Sequence, residues 1–151
     1  MTKATTLWVF FGLFIVETIC FGVVMAVWDF TIIDEMSDPQ KVQQHIGEMS
    51  EAQRAAHAWM TATLDVAYPL TYGPLFAGIV LRTLHTVFVM PAMAVIPSDL
   101  IEGVIQVSVL SGDDTLLWLK TYITPLKLVL FVTAIIIAVF ALAIEARNRR
   151  N

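Results

Sequence analysis

Apolar residues gather in four long stretches of the chain, and polar connections separate these stretches. They cover about residues 7–28, 55–81, 86–110 and 116–144. Each stretch is long enough to cross the hydrocarbon core of a bilayer, ~30 Å thick, as a helix. The stretches lack the alternation of barrel strands, and only helices and closed barrels satisfy their backbone in lipid. The pattern therefore predicts an all-α fold, a four-helix transmembrane bundle that forms a single domain over residues 1–151.

The connection between the first two stretches carries the signals of one short helix. The Ser-Asp-Pro run at residues 37–39 combines a capping side chain with a proline in the first turn. Val42, Ile46 and Met49 give this helix an apolar edge, so we predict a short amphipathic helix in the outer loop between helices 1 and 2. It either covers the outer mouth of the bundle or is a plain solvated helix. The Ser-Glu-Ala-Gln run at residues 50–53 fits a capping box and starts the second long helix.

Composition and charge indicate a membrane location and an orientation. Hydrophobic residues make up 58% of the chain, against about 45–50% in soluble domains. Residues 29–56 hold six acids and two bases, whereas Lys3, Arg82 and the three arginines within residues 147–150 lie at the opposite ends of the stretches. The positive-inside rule then predicts a multi-pass protein of the cell inner (cytoplasmic) membrane with both termini in the cytoplasm. We expect membrane lipids as partners and no nucleic acid.

Five ionisable residues interrupt the apolar stretches. They are Glu17, Asp65, Asp99, Glu102 and Lys127. A charge at bilayer depth costs about 2.5–3.5 kcal/mol on insertion scales, so each needs a partner or a purpose. At ~1.5 Å per residue, all five fall in one slab between the middle of the membrane and its outer half. Four acids and one base therefore meet in one layer.

Helical spacing puts these charges on polar or aromatic faces. The aligned positions are Asp65, Tyr68 and Tyr72 on the second helix, Asp99, Glu102 and Gln106 on the third, and Lys120, Thr124 and Lys127 on the fourth, with Glu17 and Phe21 on the first. Residues three or four apart share a helix face. Prolines inside three of the stretches also predict kinked helices around a cavity. We expect the faces to converge on that cavity.

The excess of acids leaves two interpretations open. In the first, the charges are a structural network in which Lys127 pairs with Asp99 or Asp65. In the second, the excess is functional, because crowded carboxylates cannot all ionise in a low dielectric. A protonated acid beside an ionised one suits proton donation, proton relay or capture of a cation. No paired histidine or cysteine motif is present, so we expect no metal and no cofactor.

Two stretches of the sequence resemble known proteins. Residues 64–73, LDVAYPLTYG, and 96–102, IPSDLIE, are similar to motifs of uncharacterised four-span bacterial membrane proteins. The layout also resembles the EXPERA domain of emopamil-binding protein and the sigma-2 receptor. That resemblance implies four spans, a long outer connection after the first, and acids in a lipophilic pocket. An acid before a proline on the second helix recurs there, matching Asp65 and Pro69. The chain departs from the family in lacking the isomerase histidine within its second span.

The first functional hypothesis is a pocket for a lipophilic small molecule, as in an isomerase or cyclase acting on a terpenoid or sterol-like substrate. Such chemistry needs a neutral acid, a carboxylate near the developing cation and aromatic faces. The candidate catalytic residues are Glu17, Asp65, Asp99 and Glu102, with Asp65 or Glu102 as proton donor. The candidate ligand-binding residues are Tyr68, Tyr72, Trp59, Phe21, Gln106 and Lys127.

Two other functions stay open on sequence grounds. Acids inside a membrane are frequent in proton relays and cation sites, so the chain is also a candidate for a small proton- or cation-coupled transporter. A membrane-complex subunit with a structural charge network is the third hypothesis. The sequence also leaves open whether the bundle forms a homodimer.

Overall fold

The structure is a computed structural model that describes residues 4–150 and is all-α over that range, without strands. Lys3, which entered the charge argument, lies outside the described residues. The five helices are α1 (Ala4–Trp28), α2 (Pro39–Glu48), α3 (Glu51–Val80), α4 (Met90–Leu110) and α5 (Lys120–Asn148). Short 3₁₀ turns at Thr86–Val89 and Leu117–Leu119 lead into α4 and α5.

Within residues 4–150, three segments are long and apolar enough to cross a membrane. They are Ala4–Trp28, Thr86–Leu110 and Leu117–Asn148, which indicates a multi-pass membrane protein. The stretch predicted at residues 55–81 is helical up to Val80 as part of α3, but α3 does not reach the same apolarity. The physical reason is its polar first half, which includes Arg54, His57 and Asp65.

The helix α3 lies at the centre of the bundle and packs against α1, α4 and α5. It continues through Pro69 and Pro74 without a break. It approaches α4 closely at Gly73, where an added Cβ would lie 2.5 Å from the side chain of Ile96 and 3.0 Å from the carbonyl oxygen of Ala92. Glycine therefore allows these two helices to touch through their backbones.

The connection from α1 to α3 has the predicted helix and caps. The side chain of Asp38 accepts a hydrogen bond from the amide of Gln40 at the start of α2, with Pro39 in the first turn. Ser50 and Gln53 form the capping box of α3. The side-chain amide of Gln53 also donates hydrogen bonds to the carbonyl oxygens of Trp28 and Asp29, at 3.2 and 2.7 Å. These bonds connect the end of α1 to the start of α3.

The apolar edge of α2 is buried, so α2 is more than a solvated loop helix. Val42 and Ile46 pack in one apolar cluster with Phe30 and Ile33 of the connection and Met60 of α3. Removal of this surface from water holds α2 and its flanking segments on the end of the bundle.

Candidate functional site

A cavity of about 620 Å³ lies between α1 and α5, above a floor made by α3 and α4. The connection that follows α1 forms one end of it. Its lining residues are Thr18, Phe21, Gly22, Met25, Ile32, Asp34, Glu35, Asp65, Tyr68, Tyr72, Asp99, Thr124, Lys127, Leu128 and Phe131. Acids and one lysine thus share the cavity with aromatic rings.

A buried ion network stands behind the cavity and centres on Glu102. This carboxylate is fully buried, accepts a hydrogen bond from the Lys120 ammonium at 2.8 Å, and contacts the Thr124 hydroxyl. It also contacts the Lys127 ammonium through its second oxygen. Two cations and a hydroxyl therefore compensate a charge that would otherwise be costly to bury.

Lys127 joins this network to the cavity. Its Nζ lies 3.3 Å from Asp34 and 3.3 Å from Asp99, in addition to its contact with Glu102. Oxygen atoms of these three acids lie within 4.8 Å of one another, which is a spacing that could hold a metal ion. Because the ammonium is within ion-pair distance of all three, Lys127 itself supplies the cation for this cluster.

Asp99 is held in place by an aromatic neighbour as well as by Lys127. The Tyr72 hydroxyl donates a 2.7 Å hydrogen bond to Asp99. Tyr72 is buried, and its ring packs edge-on against Phe131 and Tyr68 at centroid distances of 5.0 and 5.3 Å. This packing fixes the hydroxyl, so Asp99 presents a defined acceptor at the cavity wall.

Asp65 differs from the other acids of the cavity. It is only 9% exposed, and among the described residues it makes no ion pair. Its Oδ2 atom is buried and has no hydrogen-bond partner in the described part of the chain. A buried polar atom without a partner is costly, and Asp65 lacks the lysine contact that Asp34 and Asp99 both have.

The structure brings six of the predicted site residues to the cavity. They are Asp65, Asp99, Tyr68, Tyr72, Phe21 and Lys127. Four other predicted residues, namely Glu17, Glu102, Gln106 and Trp59, are not part of the lining. Glu17 accepts a hydrogen bond from Thr71 at 2.9 Å, and Gln106 accepts one from Thr61 at 3.4 Å. Trp59 is 60% exposed, because it lies on the outer face of α3.

The count of four acids and one base in the layer is wrong. Lys120 is a second, fully buried cation, and Asp34 is a further acid within reach of Lys127. Lys120 could have been predicted, because its helical spacing from Thr124 and Lys127 puts all three on one face of the helix. No signal pointed to Asp34, because it lies in an irregular segment whose path the sequence does not define. Lys127 pairs with Asp99 as expected, but it makes no ion pair with Asp65.

The chain has no match among family models, curated proteins or solved structures. The fold and the site therefore stand on the chain's own geometry: a helical protein with three candidate membrane spans and a buried acidic cluster.

Proposed function

We propose that this protein is a four-span membrane protein whose acid-lined cavity binds a lipophilic small molecule, and that Asp65 donates a proton to it. The reaction class is an isomerase or cyclase acting on a terpenoid or sterol-like substrate. One observation carries the proposal: Asp65, a buried acid that makes no ion pair among the described residues, lines the same cavity as Phe21, Tyr68 and Tyr72.

The size and lining of the cavity support a small-molecule ligand. Ligand pockets are commonly ~300–1,000 Å³ and are lined by apolar and aromatic groups with few polar ones. At about 620 Å³ the cavity falls within that range. Most of its apolar lining comes from α1 and from Leu128 and Phe131 of α5, whereas its charged groups come from α3, α4, the connection and Lys127 of α5. A lipophilic molecule with one polar end matches this division.

The environments of the acids support Asp65 as proton donor and argue against Glu102. Glu102 is bound by two ammonium groups and lies behind the lining, whereas Asp65 belongs to the lining and makes no ion pair among the described residues. A proton carried by Asp65 would add to one carbon of a substrate double bond and leave a carbocation. The electron-rich faces of Tyr68 and Tyr72 would stabilise that cation. Loss of a proton from a neighbouring carbon to a carboxylate would complete an isomerisation without consuming a reagent.

The central position of α3 supports a fourth span. A 30-residue helix is about 45 Å long, enough to cross a bilayer. Because α1, α4 and α5 surround it, most of its polar side chains need not meet lipid. Four spans, with the acidic connection outside and both termini in the cytoplasm, agree with the charge distribution of the sequence.

A cation transporter is the second candidate, and the cluster of Asp34, Asp99 and Glu102 is the observation in its favour. Lys127 weakens this candidate, since its ammonium already lies where a bound cation would sit. A purely structural network would explain Glu102 and Lys120, but Asp65 lines the cavity and makes no ion pair with either lysine.

The test compares lipophilic molecules that co-purify with the protein. Wild type, Asp65→Asn and Gly22→Trp would be purified from membranes, extracted with solvent and analysed by untargeted mass spectrometry. Gly22 lines the cavity and a Cβ there meets nothing within 4 Å, so a tryptophan side chain can be accommodated and would take up part of the cavity. Gly12→Trp is the matched control on the same helix, also in open space but away from the lining.

We expect a defined lipophilic species to accompany wild type and Gly12→Trp, and to be lost or strongly reduced in Gly22→Trp. Asp65→Asn should retain the species but convert none of it. If the Gly22→Trp and Gly12→Trp extracts are the same, the cavity does not bind a ligand and the proposal fails. Circular dichroism and gel filtration establish that each variant is folded.

A further inference from the structure

The end of the cavity nearest the α1–α2 connection is covered by an irregular segment. Residues 29–38 contain neither helix nor strand, and Ile32, Asp34 and Glu35 from this segment line the cavity. Phe30 and Ile33 anchor the segment, since both are buried in the apolar cluster below α2. The Phe30 ring also stacks on His57 with 4.8 Å between centroids. The segment is thus attached at its base while its cavity side carries the acids.

Among residues 4–150, one ion pair connects the cavity side of this segment to the opposite wall. Asp34 binds Lys127 of α5 at 3.3 Å, across 93 positions of the chain. The second carboxylate oxygen of Asp34 is buried and has no hydrogen-bond partner among the described residues. Asp34 is therefore held over the cavity by Lys127, which is the one side-chain partner of this carboxylate among the described residues.

The cavity wall between α1 and α5 has a different character. Neither helix packs closely on the other, although both pack against α3. The residues at this side include Gly22 and Leu128, which are exposed, and Phe21 and Met25, which are half-buried. If α1 and α5 span the membrane, this apolar gap faces lipid acyl chains.

We propose that the Asp34–Lys127 ion pair closes the cavity toward water, and that the ligand enters from the lipid through the gap between α1 and α5. The inference rests on the proposed function for the existence of a ligand. In this proposal Asp34 does not react; its ion pair with Lys127 holds the irregular segment over the end of the cavity. A charged pair across the aqueous end excludes water from Asp65, and an apolar entrance selects molecules that dissolve in the bilayer.

The test measures access to the cavity and needs no ligand. Gly22→Cys and the matched control Gly12→Cys, each in a Cys20→Ser background, would carry a nitroxide spin label in lipid vesicles. Power-saturation electron paramagnetic resonance then compares collisions with oxygen, which concentrates in lipid, and with the water-soluble complex nickel ethylenediaminediacetate. The same pair is measured with Asp34→Asn, and with Glu35→Gln as a control for loss of an acid in the same segment.

We expect the label at residue 22 to show high oxygen access and low nickel access, like the label at residue 12. Asp34→Asn should raise nickel access several-fold at residue 22 only, and Glu35→Gln should leave it unchanged. High nickel access at residue 22 without the Asp34 change, or low oxygen access there, would overturn the proposal even if Asp34→Asn failed to fold. An Asp34→Asn protein that folds and shows no change overturns it as well. These outcomes do not depend on whether a ligand co-purifies.

Discussion

Replacing Lys127 by methionine removes the ammonium that lies between three carboxylates and keeps most of the apolar stem. Nζ is 3.3 Å from Asp34 and 3.3 Å from Asp99, it contacts Glu102, and the side chain is only 15% exposed. Removing one partner of a buried ion pair costs about 3–5 kcal/mol. We expect a loss near the lower end, about 3 kcal/mol, since Glu102 keeps Lys120 and Asp99 keeps its tyrosine donor.

The measurement is equilibrium unfolding in mixed micelles, followed by far-ultraviolet circular dichroism during titration with a denaturing detergent. Lys41→Met is the matched control, because Lys41 is exposed on α2 and makes no ion pair among the described residues. Its free energy of unfolding should stay within about 0.5 kcal/mol of wild type. A Lys127→Met loss below about 1 kcal/mol, the range of exposed ion pairs, would refute the buried network.

A double variant separates the charge effect from simple loss of packing. Adding Asp34→Asn to Lys127→Met removes one of the carboxylates left without its cation, so the double variant should recover part of the lost stability. Groups within one network are coupled, so the two changes should not be additive. Strict additivity would mean that Asp34 and Lys127 do not interact in the folded protein.

Two further predictions concern the walls of the bundle. Gly73→Ala should destabilise the protein by about 1–3 kcal/mol, because the added Cβ would lie 2.5 Å from Ile96. Gly103→Ala is the control: its Cβ would have its nearest neighbour at 3.7 Å, so the free energy of unfolding should not change in the same titration. Tyr72→Phe should cost about 1.5–3 kcal/mol through the lost hydrogen bond to Asp99, measured by the same titration; a neutral result would show that this hydrogen bond does not stabilise the fold.

Local features of the chain were predictable, since they depend on residues close in sequence. The apolar stretches, the start of α2 at Pro39 and the capping box at Ser50 all follow from neighbouring residues and appear in the structure. The convergence of Asp99, Glu102 and Lys127 was also predictable, because helical spacing and depth put them in one layer.

Tertiary structure alone decided which of these residues face the cavity. Spacing defines a helix face but not the rotation of that face toward its neighbours, so Trp59 on the outside and Asp65 on the inside looked equally suitable. The burial of Glu102 behind Lys127 likewise depends on how α4 and α5 pack. Asp34 shows the limit most clearly, because an irregular segment brings it to a lysine 93 positions away. The sequence determined the elements and their polar faces, while the cavity exists only through contacts between residues far apart in the chain.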